Sequence, residues 1–397
     1  MNYKKIYLKK GKEASLQRFH PWIFSGAVAK KDNDIQDGDI AEVYDCEGKF
    51  AAVGHYQQGS IMLRILSFRK EEINIDFFKR RLLKAYEARK GMGLDYNDNQ
   101  NCFRLVHGEG DFLPGLIIDF YASTAVMQAH SVGMHIQRGM ICDALTELFA
   151  DKIDSVYYKS ENTLPYLPED EESECYLAGN GAGHEAAAVE NGLKFAIDWE
   201  RGQKTGFFID QRENRKLLEH YSKGKNVLNL FCYSGGFSCY ALRGGAALVH
   251  SVDSSARAIS LADKNVEANF GGCPRHRSYV ADAFEFLQQS EKGMYDVIVL
   301  DPPAFAKRRS ALNNALQGYK RLNAKALEKI KPGGLLLTFS CSQAVDKNQF
   351  RLAVFSAAVI SGRKVRILHQ LTQPSDHPIN ICHPEGEYLK GLVLYVE

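Results

Sequence analysis

The chain has 397 residues, of which 45% are hydrophobic and 25% charged, and its 50 Lys and Arg against 48 Asp and Glu leave a net charge of +2. That length exceeds one ordinary core and predicts two or three domains, while the composition excludes a disordered or fibrous chain and the charge balance neither requires nor excludes nucleic acid. The nine cysteines show no C-x-x-C pair or zinc spacing, and there is no signal peptide or apolar run of membrane-spanning length, so a reduced, soluble, cytoplasmic protein without metal is expected.

Residues 1 to about 70 alternate apolar and polar positions in short runs broken by Asp37-Gly38-Asp39 and Glu47-Gly48-Lys49, the pattern of a small β-rich domain. Lys4, Lys5, Lys9, Lys10, Lys12 and Arg18 precede His20-Pro21-Trp22-Ile23-Phe24-Ser25-Gly26. Basic side chains interleaved with aromatics suit a phosphate backbone and stacked bases, which makes Trp22 a candidate RNA contact; a solvated lysine face with Trp22 and Phe24 in the core is the other reading.

Residues 73–90 place Ile75, Phe78, Leu82, Leu83 and Tyr86 at helical spacing and open a central α+β domain, 71–187. Strands are expected over 103–106, 116–120 and 124–129, followed by a helix over 135–149. The acidic stretch 168–174, running on into 179–183, reads as a loop or boundary.

The third domain, 188–397, starts with a hairpin over 189–199 turned at Asn191-Gly192 and a helix over 212–221. Val227 to Leu242 then reads as a buried strand, a glycine turn and the first turns of a helix. Further strands are expected over 247–252, 277–280, 295–300 and 334–340, with helices near 256–268, 283–289 and 316–330. This alternation predicts a parallel, doubly wound sheet. Two last strands, 365–371 and 388–396, are joined by a loop too long for a tight hairpin.

Ligands of such sheets bind beyond the carboxyl ends of the strands. There the sequence sets the Asn229 to Gly236 turn, Asp253, Asp282, Asp301-Pro302-Pro303-Ala304-Phe305 and Ser340-Cys341-Ser342. The turn lacks the G-x-G-x-x-G through which a backbone approaches a pyrophosphate. Asn229, Tyr233 and Ser234 make it polar, which suits S-adenosylmethionine, a ligand with an adenosine end and no diphosphate, and Asp253 stands near the spacing for ribose hydroxyls. The paired prolines end a buried strand in a rigid loop with carbonyls free to accept, for example, an exocyclic amine. Cys341 is the candidate nucleophile: a thiolate adds to C6 of a pyrimidine and so makes C5 reactive toward a methyl donor, provided something nearby stabilises it.

Carrying these residues, the chain resembles the PUA-domain-containing 23S ribosomal RNA (cytosine-C5) methyltransferases over essentially its whole length. The resemblance rests on residues 20–26, on Arg104-Leu105-Val106-His107-Gly108-Glu109-Gly110-Asp111 with 113–116, on 203–212, on the glycine turn, on 301–305 and 340–342, and on Asp376-His377-Pro378 with 384–390. It implies a Rossmann-like seven-stranded methyltransferase domain at the C-terminus, a PUA-like RNA-binding domain over 1–70 and a central domain between them. It further implies that Asn229, Phe231, Tyr233, Ser234, Gly235, Gly236, Asp253, Asp282 and Asp301 bind the cofactor and that Cys341 and Asp301 are catalytic. Pro302, Pro303, Phe305, Lys204, Arg212 and Trp22 would bind substrate, with 23S rRNA or a large-subunit precursor as the partner. The oligomeric state stays open, a homodimer being one option.

One departure from other RNA cytosine-C5 enzymes is that the loop after the fourth strand has no second cysteine, so the base that removes the C5 proton is unassigned. Uracil-C5 methylation, amino-group methylation and a non-catalytic RNA-binding assembly factor are the alternatives. In the second of these the aromatic residue would follow the prolines directly, but here Ala304 does and Phe305 comes one place late. A nicotinamide dehydrogenase is disfavoured by the missing third glycine.

Overall fold

The structure, a computed structural model, describes residues 3–166, 172–181, 187–306 and 308–397. The chain forms two units: the first comprises Met1–Gly192, Ile197–Ile209 and Ser375–Gly386, and the second Leu193–Ala196, Asp210–Pro374 and Glu387–Glu397.

The first unit begins with β1 (Lys4–Leu8), the short helix α1 (Ala14–Gln17), β2 (Trp22–Phe24), β3 (Val28–Lys31), β4 (Ile40–Tyr44), β5 (Phe50–Tyr56) and β6 (Ile61–Ser67). They form one sheet in the order β2-β6-β5-β4-β1-β3. Alternation puts Ile6, Leu8, Val43, Leu63 and Ile65 into its core. The expected turn at Glu47-Gly48-Lys49 is present: Gly48 takes φ +80°, and the Asp45 carboxylate accepts from the Glu47 and Lys49 amides.

Next come α2 (Ile75–Gly91), capped by the Asn74 side chain, and β7 (Cys102–His107), β8 (Leu116–Tyr121), β9 (Thr124–Ala129), β10 (Ser155–Lys159) and β11 (Glu174–Ala178), ordered β11-β10-β9-β8-β7. Phe77, Phe78, Leu82, Phe103, Phe120 and Phe149 fill the space between helix and sheet. The single helix expected over 135–149 is two, α3 (Val132–Ile136) and α4 (Arg138–Leu148), because Gln137 leaves helical geometry at φ −82°, ψ 0°. β10 and β11 were not expected. β10 is five buried residues without alternation, which no periodicity can distinguish from other apolar runs. Of the expected loop, 168–171 and 182–183 lie outside the described residues, and Glu174 already belongs to β11.

The Asp376 segment returns to this unit through buried charge. Asp376 Oδ2 accepts from the Arg104 amide at 3.0 Å, and its carbonyl accepts from Arg89 Nη2 at 2.9 Å. Arg89 also grips both oxygens of Asp111, at 2.5 and 2.7 Å. A Cβ on Gly110 would fall 2.0 Å from the Pro378 carbonyl oxygen, so this position accepts only glycine. Two stretches of the resemblance, 104–111 and 376–378, thus hold each other in place.

The first unit's β12 (Ala188–Glu190) is followed by Asn191 and Gly192 at φ +50° and +79°, and the second unit opens with β13 (Leu193–Phe195). The second unit continues with α5 (Arg212–Tyr221), β14 (Asn226–Leu230), α6 (Gly236–Arg243), β15 (Leu248–Asp253), α7 (Ala256–Phe270), β16 (His276–Val280), α8 (Ala283–Gln289), β17 (Val297–Leu300), α9 (Leu312–Lys329), β18 (Gly334–Ser340), α10 (Lys347–Ser361), β19 (Val365–Leu371) and β20 (Lys390–Val396). The seven strands are ordered β16-β15-β14-β17-β18-β20-β19, with β20 antiparallel to both of its neighbours. The seven-stranded α/β sheet expected from the sequence is therefore present. β14 and β17 are adjacent although β15 and β16 intervene in the chain, so the point where strand order reverses, at which ligands of such sheets bind, lies at their carboxyl ends. α10 was not expected; a reciprocal capping box between Asp346 and Gln349 starts it.

Candidate active site

The parallel strands end level with one another: Leu230 lies opposite Val252 and Leu300, Asp253 opposite Val280, and Leu300 opposite Thr338. Register alone therefore gathers the glycine turn, Asp253, Asp301 and Cys341 at one edge.

After β14 the chain reverses through three left-handed residues, Phe231 (φ +59°), Tyr233 (+44°) and Gly235 (+74°). Strain of this kind in non-glycine residues persists only where surroundings over-determine it. Here the Cys232 amide donates to the Val252 carbonyl, the Tyr233 amide to Asp253 Oδ2 at 3.0 Å, and the Ser234 carbonyl accepts from Asn265 Nδ2 at 2.9 Å. A Cβ on Gly235 would stand 2.9 Å from that of Ala262, and one on Gly236 would stand 3.0 Å from Arg215 Cδ. The glycines let the turn lie against α7 and α5.

Asn229 is buried, with its amide nitrogen on Ser238 Oγ at 2.9 Å. From there a chain of hydrogen bonds runs through Ser251 Oγ to His276 Nε2. Asp253 uses its second oxygen on the Ser255 amide at 2.9 Å. Asp282 is exposed and caps α8, accepting from the Phe284 and Glu285 amides at 2.8 and 3.1 Å. One of its oxygens is thereby committed to the helix.

Asp301 follows β17 and accepts from Gln211 Nε2 at 3.1 Å, and Gln211 Oε1 in turn accepts from Asn214 at 2.6 Å. Pro302 is buried and Pro303 exposed. Phe305 turns its ring onto α9, 4.6 Å from the Tyr319 ring centroid. A Cβ on Gly318 would come within 3.0 Å of that ring, so the ring is held from below. Cys341 is half-buried, its sulfur 4.0 Å from the Pro302 carbonyl oxygen. The thiol and the proline loop, 39 residues apart in sequence, are thus adjacent.

Beside them lies Lys390, only 4% exposed, with Nζ on the Ser342 carbonyl at 2.7 Å. Burial pushes its ammonium down to about 8, against the opposing pull of Cys341, Glu387 and Asp346. Ser342 Oγ binds the Ala306 amide and the Tyr319 hydroxyl, tying this loop to the proline loop.

Among the remaining candidates for substrate contact, Arg212 is fully buried and ion-paired to Glu213. In the first unit Lys204 is exposed at φ +50° with its ammonium over the Phe208 ring. Also in the first unit, Trp22 is half-buried, donates Nε1–H to Glu109 at 2.8 Å and packs against the His383 ring. Phe24 beside it is 47% exposed.

Residues 166–379 match the S-adenosylmethionine-dependent methyltransferase family, and residues 6–68 match the PUA-like domain. The chain belongs to the S-adenosylmethionine-dependent methyltransferases. It is 42% identical over 394 residues to ribosomal RNA large subunit methyltransferase I of Aeromonas hydrophila, covering 98% of each protein, and 40% identical over 399 residues to that of Photobacterium profundum, covering 99% of each. Its fold is that of a Streptococcus mutans protein described as a SAM-dependent methyltransferase, with a TM-score of 0.82 at 24% identity over 98% of this chain and 99% of that one.

The methyltransferase family accounts for the shape of the turn. A cofactor with a positive sulfonium and an adenosine, but no phosphate, calls for a close backbone approach without an anion cradle. Gly235 and Gly236 bring the backbone of the turn close to α7 and α5, which a side chain on either would meet. Gln211, Ser342 and Lys390 fall within the stretches 203–212, 340–342 and 384–390 that carry the resemblance, but the sequence assigned none of them a role in the site. The available signal was Lys390 itself, a lysine leading into the apolar run Gly391-Leu392-Val393-Leu394-Tyr395-Val396.

Proposed function

We propose that this chain methylates C5 of a cytidine in large-subunit (23S) ribosomal RNA through a covalent bond from Cys341 to C6. The observation that carries this reading is the half-buried Cys341 sulfur 4.0 Å from the Pro302 carbonyl at the carboxyl edge of the sheet. The large-subunit rRNA specificity comes from the named relatives, which align over nearly the full chain.

The Phe231 to Gly236 turn and Asp253 are the residues that would hold S-adenosylmethionine, Asp253 toward the ribose and the turn toward the methionine part. When bound, the cofactor supplies an electrophilic methyl group on sulfur. In the reaction, the target nucleotide is flipped from the RNA at an unstacking cost of a few kcal/mol. The Asp301 carboxylate and Pro302 carbonyl take the exocyclic amine, with Gln211 holding Asp301 in orientation. The Cys341 thiolate forms the S–C6 bond, and the C5–C6 π pair becomes the nucleophile at C5. C5 would take the methyl group that the bound cofactor supplies, and release of the C5 proton to water then returns a pair to the ring and expels the thiolate. A carbonyl beside the thiol serves cytosine, whose N4 donates, better than uracil, whose O4 accepts.

In the first unit, exposed Phe19 and Phe24 and the lysines near them would bind RNA by stacking and phosphate contact. The test is Cys341→Ala with unmodified 23S rRNA and labelled methyl donor. Cofactor binding should survive and 5-methylcytosine formation should vanish; turnover at the wild-type rate removes the covalent scheme, and label on N4 indicates amino methylation.

A further inference from the structure

We propose that Lys390 is the positioning residue that keeps Cys341 ionised, forming a buried thiolate–ammonium pair. The inference rests on the reading of Cys341 as nucleophile and supplies what that reading lacks, a group that favours the thiolate.

β20 runs antiparallel to β18, with Lys390 directly opposite Ser340, the residue before Cys341. From that position the side chain reaches past Cys341 to the carbonyl of Ser342, the residue after it. The amine is thus strapped across the cysteine by the strand pairing on one side and a hydrogen bond on the other.

The second observation is what Lys390 lacks. An ammonium carries three donors, and a buried one is costly unless paired. Lys390 is 4% exposed, and among the described residues its ammonium donates to the Ser342 carbonyl alone. Among the described residues no carboxylate stands within ion-pair distance of it; Asp346 acts from further off, its side chain accepting the Gln349 amide as the cap of α10, and Glu387 is ion-paired to Lys347. Tyr319, whose hydroxyl lies on Ser342, is raised by burial and stays neutral, and Lys347 acts on Lys390 as a like charge. Of the groups whose negative charge favours this ammonium, Cys341 acts most strongly, ahead of Glu387 and Asp346. A lysine used only for packing would be cheaper as methionine.

In the pair, the S–H bond breaks, its proton passes to the Nζ amine and the electron pair remains on sulfur. One proton is shared between two sites whose titrations are coupled. When the S–C6 bond breaks at the end of turnover, the leaving thiolate again faces the ammonium.

The test measures alkylation of Cys341 by iodoacetamide in the full-length protein against pH, read on the Cys341 peptide by mass spectrometry. An isolated thiol ionises near ~8.5. We expect a wild-type midpoint at least about one unit lower. Lys390→Met should restore the ordinary midpoint and slow alkylation at neutral pH by about tenfold, and Lys390→Arg should keep the low one because its charge persists. The pH profile of methylation should move to the alkaline side in Lys390→Met by the same amount. A wild-type midpoint at or above the ordinary value overturns the proposal even if no variant folds, as does a Lys390→Met profile superimposable on wild type. Alkylation does not depend on what Cys341 attacks. Methylation retained in Cys341→Ala would therefore sink the base chemistry and leave the ion pair standing, and the reverse outcome is equally separable.

Discussion

The amide of Tyr233 donates to Oδ2 of Asp253 at 3.0 Å, so the turn after β14 hangs on the carboxylate that ends β15. One side chain thereby shapes the backbone of the turn proposed to hold the cofactor and is itself the group proposed to meet the ribose. Hydrogen bonds to a charged group are worth about 1.5–3 kcal/mol. Asp253→Ala should weaken S-adenosylmethionine binding at least about tenfold by calorimetry. Asp253→Asn, which keeps an acceptor for Tyr233, should lose less.

Gly235 adopts φ +74° with Ala262 close by, whereas Gly224 adopts φ +70° with nothing within 4 Å of where a Cβ would sit. A left-handed alanine costs about 1–2 kcal/mol. Gly224→Ala should show that strain alone, as a lower thermal midpoint with unchanged cofactor affinity. Gly235→Ala should lower the midpoint further and weaken binding as well, because α7 has to move. Equal effects at the two sites would remove the close-approach argument.

Both tryptophans, Trp22 and Trp199, lie in the first unit, so tryptophan fluorescence follows its unfolding alone. Arg89→Met strands Asp111 and the Asp376 carbonyl without their guanidinium. Breaking a buried ion pair from one side costs about 3–5 kcal/mol. The urea midpoint read by fluorescence should fall by a corresponding amount, with cofactor binding by the second unit retained in the absence of urea.

His55 is fully buried against Gly133, and burial holds its imidazole at about 3; His130 is likewise held at about 4. Both are lowered, so between the ordinary value near ~6.5 and the folded value the unfolded chain binds the extra proton. Stability of the first unit is therefore full above about pH 6.5 and is lost as pH falls toward about 4, at up to ~1.4 kcal/mol per unit for each histidine. His55→Phe should flatten that slope by close to one proton in urea titrations followed by fluorescence.

Much of the fold was legible because buried parallel strands are written as continuous apolar runs and the turns between them as glycine, proline and aspartate. Val297–Leu300 followed by Asp301-Pro302-Pro303 is such a case. α10 escaped for the opposite reason: its outer face carries Leu352, Phe355 and Val359, each more than 60% exposed, so no polar stripe marks the helical period. The carboxyl-end aspartates were equally visible, yet only coordinates reveal that Asp282 spends one oxygen capping α8 and that Asp301 is held by Gln211.

What the residues alone determined is the set of local structures and the chemistry each strand end could offer, since propensity, turn geometry and the reactivity of a thiol or carboxylate are properties of short segments. What only the tertiary structure decided is who stands beside whom. The pairing of Lys390 with the segment around Cys341 joins positions 48 residues apart through antiparallel register. Register is set by the packing of the whole sheet, which no single stretch of sequence contains.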